Sequence, residues 1–380
     1  MAEGDISAVV DSLVFDAVYG SYGVIIHVTG EIYAIAYAGS GNIGKLITVS
    51  IDSSGNISAA PIDTVIFDAA SGAKPSIVHV YGTIFAIAYI GPDTDGWICT
   101  VGINADGSID DAVKDTLEFC TSYSECPQLI HLSGAVYAVV DRSTNFEAWI
   151  YTFTITDAGA ISDAVLDSLK FGAWDSAAPQ ILRMNSAVCA AVYQDATDDG
   201  QLVTLPVNDA GAIGDAVIDS YEFETTYAAS PHILHVSGNV YLISYMDTSQ
   251  DGYIFTVTIS PAGLITKTPI DSYEFNPVCA YSNVLVHVSG NVYMILYTEA
   301  NNDLFACTVT VALDGTITKS LISSLEIETV DGQFPSCVYC GNNIYAVVYT
   351  FTGSTGKIAT FGCVTIPPGF QKHLMLMGID

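Results

Sequence analysis

Basic residues are scarce in this chain: 10 Lys and Arg stand against 41 Asp and Glu in 380 residues, a formal charge of -31. A surface of that sign repels phosphate, which excludes sequence-independent nucleic-acid binding. Long apolar runs are missing as well. No stretch reaches the eighteen or so residues that a membrane-spanning helix needs. The opening MAEGDISAVVDSLVF has no basic residue ahead of its apolar part and no small-residue cleavage site, so it does not read as a conventional secretion signal. The nine cysteines follow no regular spacing and mostly replace Ala, Val or Tyr in apolar segments, as buried free thiols do. Cys120 and Cys126 flank one loop, where an oxidising compartment would allow a local disulfide. Cys337 and Cys340 lie within one strand and face opposite sides, which speaks against a zinc or redox pair. No G-x-S-x-G elbow, H-E-x-x-H helix or phosphate-binding glycine loop occurs, so the chain is expected not to be an enzyme.

What is present is a repeat. The phrase G-x-I followed by V/I-D-S-x-x-F begins at Gly4, Gly55, Gly107, Gly159, Gly211, Gly263 and Gly315, at intervals of 51 residues once and 52 five times. A Phe at 15, 67, 119, 171, 223 and 275 (Ile at 327) keeps step, 15 residues ahead of a turn at Gly30, Gly82, Gly134, Ser186, Gly238, Gly290 and Asn342. Each unit reads as four strands, A to D, with a tight hairpin after A and a Gly-containing turn before D. Outside the last dozen residues no window has a helical apolar period, so the class is all-β.

Four short antiparallel strands with two apolar faces cannot bury themselves and must stack on neighbours. Period and strand count predict a seven-bladed β-propeller over 1–366. A lone D strand (5–15) opens the chain and strands A, B and C of a last blade (about 337–366) end it, so the N-terminal strand is expected to complete the C-terminal blade and close the ring. Here the chain resembles the seven-bladed β-propeller superfamily over about residues 4–366. The resemblance is one of architecture, since no Trp-Asp, kelch, sialidase or integrin calcium motif is intact. Residues 367–380, PPGFQKHLMLMGID, fall outside the repeat and are expected to be an assembly or anchoring peptide, with a homo-oligomer or larger particle as partner.

Several residue types recur at the repeat period. Histidine stands in strand A at His27, His79, His131, His235 and His287, and aspartate in strand D at Asp11, Asp63, Asp115, Asp167, Asp219 and Asp271. Buried imidazole and carboxylate need partners, so His–Asp pairs between blades are expected, in preference to a ring of metal ligands. Tyrosines of strand B (37, 89, 193, 245, 297 and 349, with Asp141 as the exception) are expected to wedge between blades as core.

The D-to-A and B-to-C connections share one end of the ring, and there the copies differ. Variable loops on a rigid scaffold are where recognition sits, which selects Tyr19, Tyr22, Tyr123, Trp174, Tyr227 and Tyr281 as candidate ligand contacts. Asp93, Asp95, Asp195, Asp199, Asp247 and Asp251 lie in Asp-Gly loops and are weak calcium candidates; none has a full ligand alternation, and no cofactor is expected. The leading expectation is a non-catalytic, multivalent binding or attachment module for a glycan, cell-surface polymer or protein, extracellular or virion-borne. A structural scaffold built through the tail is the alternative. A polysaccharide hydrolase or lyase using Glu125, Asp175 and Glu224 comes third.

Overall fold

The computed structural model describes residues 2–173 and 176–365. After β1 (Ile6–Asp16), blade 1 comprises β2 (Ser21–Thr29), β3 (Ile32–Ala38), β4 (Gly44–Ser50) and β5 (Asp63–Asp68). Blade 2 is β6 (Ala73–Tyr81), β7 (Ile84–Ile90), β8 (Gly96–Gly102) and β9 (Asp115–Cys120), and blade 3 is β10 (Gln128–Ser133), β11 (Val136–Ser143), β12 (Glu147–Thr154) and β13 (Asp167–Lys170). Blades 4, 5 and 6 repeat the order over 177–224, 229–276 and 281–328. Blade 7 takes Gln333–Gly341, Ile344–Phe351 and Thr355–Cys363 as its A, B and C strands, and β1 pairs antiparallel with the last of these as strand D. The expected closure is the observed one: seven four-stranded antiparallel sheets form a ring zipped between the chain's two ends.

Strand A of every blade packs against strand A of the next, all the way round, so the A strands surround the axis and the D strands form the rim. Between blades, apolar residues of facing sheets interdigitate in seven separate clusters. Phe from strand D meets Tyr from strand B of the next blade in T-shaped or tilted contacts with centroids near one another, as in Phe15–Tyr37 at 5.1 Å and Phe275–Tyr297 at 5.4 Å.

The repeated G-x-I phrase has its cause in a clasp between blades. A fully buried Thr of strand C (48, 100, 152, 204, 256, 308 and 360) donates its hydroxyl to the carbonyl of the G-x-I glycine of the next blade, at 2.5 Å for Thr48 to Gly107 and 2.7 Å for Thr308 to Gly4. That glycine has φ between 83° and 90° in every copy, and a Cβ at Gly315 would lie 2.7 Å from Ile270 Cδ1. Two residues on, the Ile N–H donates to the strand D aspartate of the preceding blade: Ile57 to Asp11, Ile109 to Asp63, Ile161 to Asp115, Ile213 to Asp167, Ile265 to Asp219 and Ile317 to Asp271, at 2.8 Å for the first. Ser323 Oγ serves the same purpose for Ile6 N–H at 3.1 Å.

This corrects the expected His–Asp pairs. The aspartates do join blades, but through backbone N–H groups. His27, His79, His131, His235 and His287 instead place Nε2 2.8 to 3.0 Å from the carbonyl of Gly30, Gly82, Gly134, Gly238 and Gly290 in their own A–B turns. The reason is radial. Strand A lies at the axis and strand D at the rim, three inter-strand spacings of about 4.8 Å apart.

Candidate functional site

The D–A and B–C segments do share one end of the ring, and a backbone bond ties them in every blade. Gly20, Gly72, Ser124, Ser176, Ala228, Ala280 and Gly332 each donate N–H to a B–C loop carbonyl, at Ser354, Asn42, Thr94, Phe146, Asp198, Gln250 and Asn302 respectively. All seven acceptor residues have φ between 60° and 73°. Side chains vary over loops tied by the same backbone bond seven times, so the end is a rigid display surface.

Strand A enters this end through a bulge, and its second residue is left-handed in six blades: Tyr22, Lys74, Ala178, Ser230, Ser282 and Phe334, with φ from 45° to 54°. Non-glycine residues adopt such values at a cost, and they cluster where side chains must be aimed. Tyr22 and Phe334, from neighbouring blades, have ring centroids 4.3 Å apart, and Lys74 Nζ lies 5.4 Å from the Tyr22 ring. Lys74 also reaches Glu125 Oε1 at 3.6 Å. Glu125 binds Arg142, whose guanidinium lies 4.8 Å from the Phe146 ring, and accepts from Tyr123 OH at 3.2 Å. A continuous aromatic and cationic arc therefore runs from blade 7 to blade 3. Blades 4 to 6 carry only Ala178, Ser230 and Ser282 at the corresponding position.

A pocket of about 210 Å³ opens between blades 6 and 7 and is lined by Tyr281, Ser282, Thr298, Asn302, Gln333 and Phe334. Asn283, next along strand A, is buried with neither amide atom hydrogen-bonded. The lining is not repeated round the ring: position 281 corresponds to Ser21, Ala73, Glu125, Ala177, Ala229 and Gln333 in the other blades.

Of the candidate contacts, Tyr281 lines the pocket, Tyr22 and Tyr123 belong to the arc, and Tyr19 and Tyr227 are half-buried at the same end. Trp174 lies outside the described residues, as do Asp175 and the 367–380 segment. Phe334, Lys74 and Arg142 were not singled out from the sequence, although Phe334 joins the pocket to the arc.

The blade 2–3 junction departs from the other six. In four junctions the strand B tyrosine donates its hydroxyl to an acid ending strand D of the preceding blade: Tyr37 to Asp16, Tyr89 to Asp68, Tyr245 to Glu224 and Tyr349 to Glu328. Burial alone would raise Asp16, but its hydrogen bond to Lys45 at 2.8 Å and two backbone N–H bonds hold it below the usual carboxylate range. At the 2–3 junction Cys120 replaces the acid and Asp141 the tyrosine. Tyr151 of strand C fills the vacated volume, with its ring 5.4 Å from Phe119. Asp141 is fully buried; its Oδ1 accepts from the N–H groups of Glu125 at 3.2 Å and Cys126 at 3.0 Å. Its Oδ2 and the buried Ser124 Oγ each lack a hydrogen bond of normal geometry. Burial pushes the Asp141 carboxyl up to about 7, against the pull of the Ser124 hydroxyl and those two N–H groups.

Cys120 and Cys126 are free thiols, not a disulfide. Cys337 and Cys340 are also free and belong to the cores on opposite sides of blade 7. Glu125 and Glu224 stand at different blade junctions and are not a carboxylate pair. Of the calcium candidates, Asp195 and Asp199 join Glu222 with ligand oxygens within 4.8 Å of one another. Thr197 Oγ1 already bridges the two aspartates at 2.9 Å, and Gln201 donates to Asp195 Oδ2 at 2.8 Å. Among the described residues Asp93, Asp95, Asp247 and Asp251 enter no such group.

No family model and no curated protein matches the chain. Among solved structures it is similar to the BP39L lectin from Burkholderia pseudomallei, at 12% identity and a TM-score of 0.62, over 90% of this chain and 98% of the lectin. It is similar to a candidate 6-phosphogluconolactonase from Bacteroides fragilis (12% identity, TM-score 0.57, 80% and 86% covered). A third is the periplasmic gluconolactonase of Pseudomonas aeruginosa (12% identity, TM-score 0.54, 79% and 84% covered). Likeness at this identity establishes the propeller fold. It also corrects the expectation that the chain is not an enzyme: lactonases share the ring, so missing sequence motifs do not argue against chemistry. Among the described residues no helix is long and apolar enough to cross a membrane.

Proposed function

We propose that the variable-loop end binds carbohydrate, with the pocket between blades 6 and 7 as the principal subsite. The observation that carries this reading is the pocket's chemistry. Tyr281 and Phe334 offer aromatic faces for the C–H face of a sugar ring, while Asn302, Gln333, Ser282 and Thr298 offer amide and hydroxyl groups for its hydroxyls. The lining carries no formal charge and the chain is at -31, which favours a neutral glycan over an acidic one. The lectin's use of the same fold is consistent with this reading. The non-repeating lining supports one dominant subsite over seven equal ones.

A glycan array probed with the full chain tests it, followed by titration of the best neutral oligosaccharide. Phe334→Ala and Tyr281→Ala should each weaken binding about tenfold or more, as loss of about 1.4 kcal/mol of ring contact does. Absence of any glycan signal, or affinity unchanged in both variants, would rule the reading out.

A further inference from the structure

Two facing positions at the blade 5–6 junction are polar where their copies at the other six are apolar. Ser244, in strand B of blade 5 (Val240–Met246), and Asn283, in strand A of blade 6 (Tyr281–Ser289), are both buried. Elsewhere the position of Ser244 holds Ala, Val or Leu, and that of Asn283 holds Pro five times and Gly once. The register places a third polar group beside them. His232, in strand A of blade 5 (Ala229–Ser237), is the directly opposed partner of Ser244, so both side chains leave the sheet on one face with Cβ atoms about 5 Å apart. That face is turned to blade 6, as the copies in blades 7 and 1 show. There Ser336 and Val348 form the same pair, Ser336 Oγ accepts from Ile25 N–H of blade 1 at 3.3 Å, and a Cβ on Gly23 would lie 3.6 Å from Val348 Cγ2. Gly23 is the copy of Asn283, and Ile25 is the copy of Leu285.

Ser244 Oγ, both amide atoms of Asn283 and His232 Nδ1 are buried without a hydrogen bond, so the three side chains face one interior without bonding one another. Around them lies the apolar core of the junction, with Phe275 and Ile295 among its members. Polar atoms in such surroundings need partners. In blades 2 and 3 the residue at the His232 position takes the N–H of the next strand A, at 3.0 Å for Leu129 to Ser76 Oγ and 2.6 Å for Ile181 to Gln128 Oε1. His232 Nδ1 does not. We propose that His232, Ser244 and Asn283 form a buried water site that joins blade 5 to blade 6, holding about one or two molecules. Water matches the set: it donates to His232 Nδ1 and Asn283 Oδ1, and it accepts from the Ser244 hydroxyl and the Asn283 amide. With no carboxylate and no cation among the three groups, the site suits neither a metal ion nor an anion. Burial pushes the His232 imidazole down to about 4, which keeps the site uncharged near pH 7.

A crystal structure of the full chain, at a resolution that shows ordered water, should place a water within hydrogen-bonding distance of at least three of the four atoms. In solution, magnetic relaxation dispersion of the water oxygen counts long-lived internal waters. The double variant Ser244→Val with Asn283→Pro, which gives the Val–Pro pairing of the 3–4 and 4–5 junctions, should hold at least one fewer than the wild type. Ser244→Val alone fills the water's place and leaves the Asn283 amide bare, so it should lower the urea midpoint, and adding Asn283→Pro should restore it. Direct bonds among the three side chains with no water between them, an unchanged count of internal waters in the folded double variant, or a midpoint that Ser244→Val leaves unmoved would overturn the assignment. The wild-type map decides even where a variant fails to fold. None of these readouts involves a glycan, so the water site and the carbohydrate reading fail independently.

Discussion

Asp141 should make the fold less stable as pH rises, in contrast to the usual behaviour of a paired carboxylate. Its carboxyl titrates near 7 in the folded chain against an ordinary value of 3.8, so between those values the native state holds a proton that the unfolded state has released. Stability therefore falls as pH rises through that window, and below about 4 the group contributes nothing. At 1.36 kcal/mol per pH unit the full span amounts to about 4 kcal/mol, of which about 2 kcal/mol is lost between pH 5 and pH 7. The Glu125 and Cys126 N–H groups and the Ser124 hydroxyl face the carboxyl and remain in place in the comparison. Asp141→Asn keeps the acceptor for the Glu125 and Cys126 N–H groups and removes the titration. Urea unfolding of both proteins at pH 5 and pH 7 should show the wild type losing about 2 kcal/mol more than the variant over that interval. Equal losses would show that Asp141 is ionised in the fold, and the account of a protonated interface acid would be wrong.

The clasp between blades yields a second expectation. Thr256→Val leaves the Gly315 carbonyl without its buried donor and should cost about 1 to 3 kcal/mol in urea unfolding. Thr258→Val, two residues on, removes only an exposed bond to Thr266 and should cost less than about 0.5 kcal/mol. Phe334→Ala and Tyr281→Ala, which abolish the proposed glycan contact, should leave the unfolding midpoint near that of the wild type, because both side chains lie on the pocket wall and not in the interblade cores.

The ring was legible because the 52-residue period fixes strand count and blade number together, and because the D strand left over at one terminus matches the gap at the other. Half of the clasp was legible too. Asp11 and its copies recur visibly, but the partner is the backbone N–H of Ile57 and its equivalents, and a backbone group leaves no mark in a sequence. Histidine drew attention because it recurs at the same period, yet periodicity says nothing about radius. The 2–3 junction showed as one exception, Asp141 in a column of tyrosines. Its meaning depends on Tyr151 refilling the core from another strand, which is a fact of packing. Phe334 was passed over because the left-handed backbone that aims it has no residue signature: Tyr, Lys, Ala, Ser and Phe all occupy that position.

The closed ring underlies the end chosen for binding, and removal of residues 2–16 tests it most directly. Without β1, strand C of blade 7 loses its neighbour, and the Thr308 bond to the Gly4 carbonyl is lost with it. Urea unfolding of the truncated chain should lose the single cooperative transition of the full chain, or move its midpoint far down, and a synthetic peptide of residues 2–18 added in excess should restore it. A truncated chain that unfolds at the full-length midpoint, indifferent to the peptide, would contradict the closure.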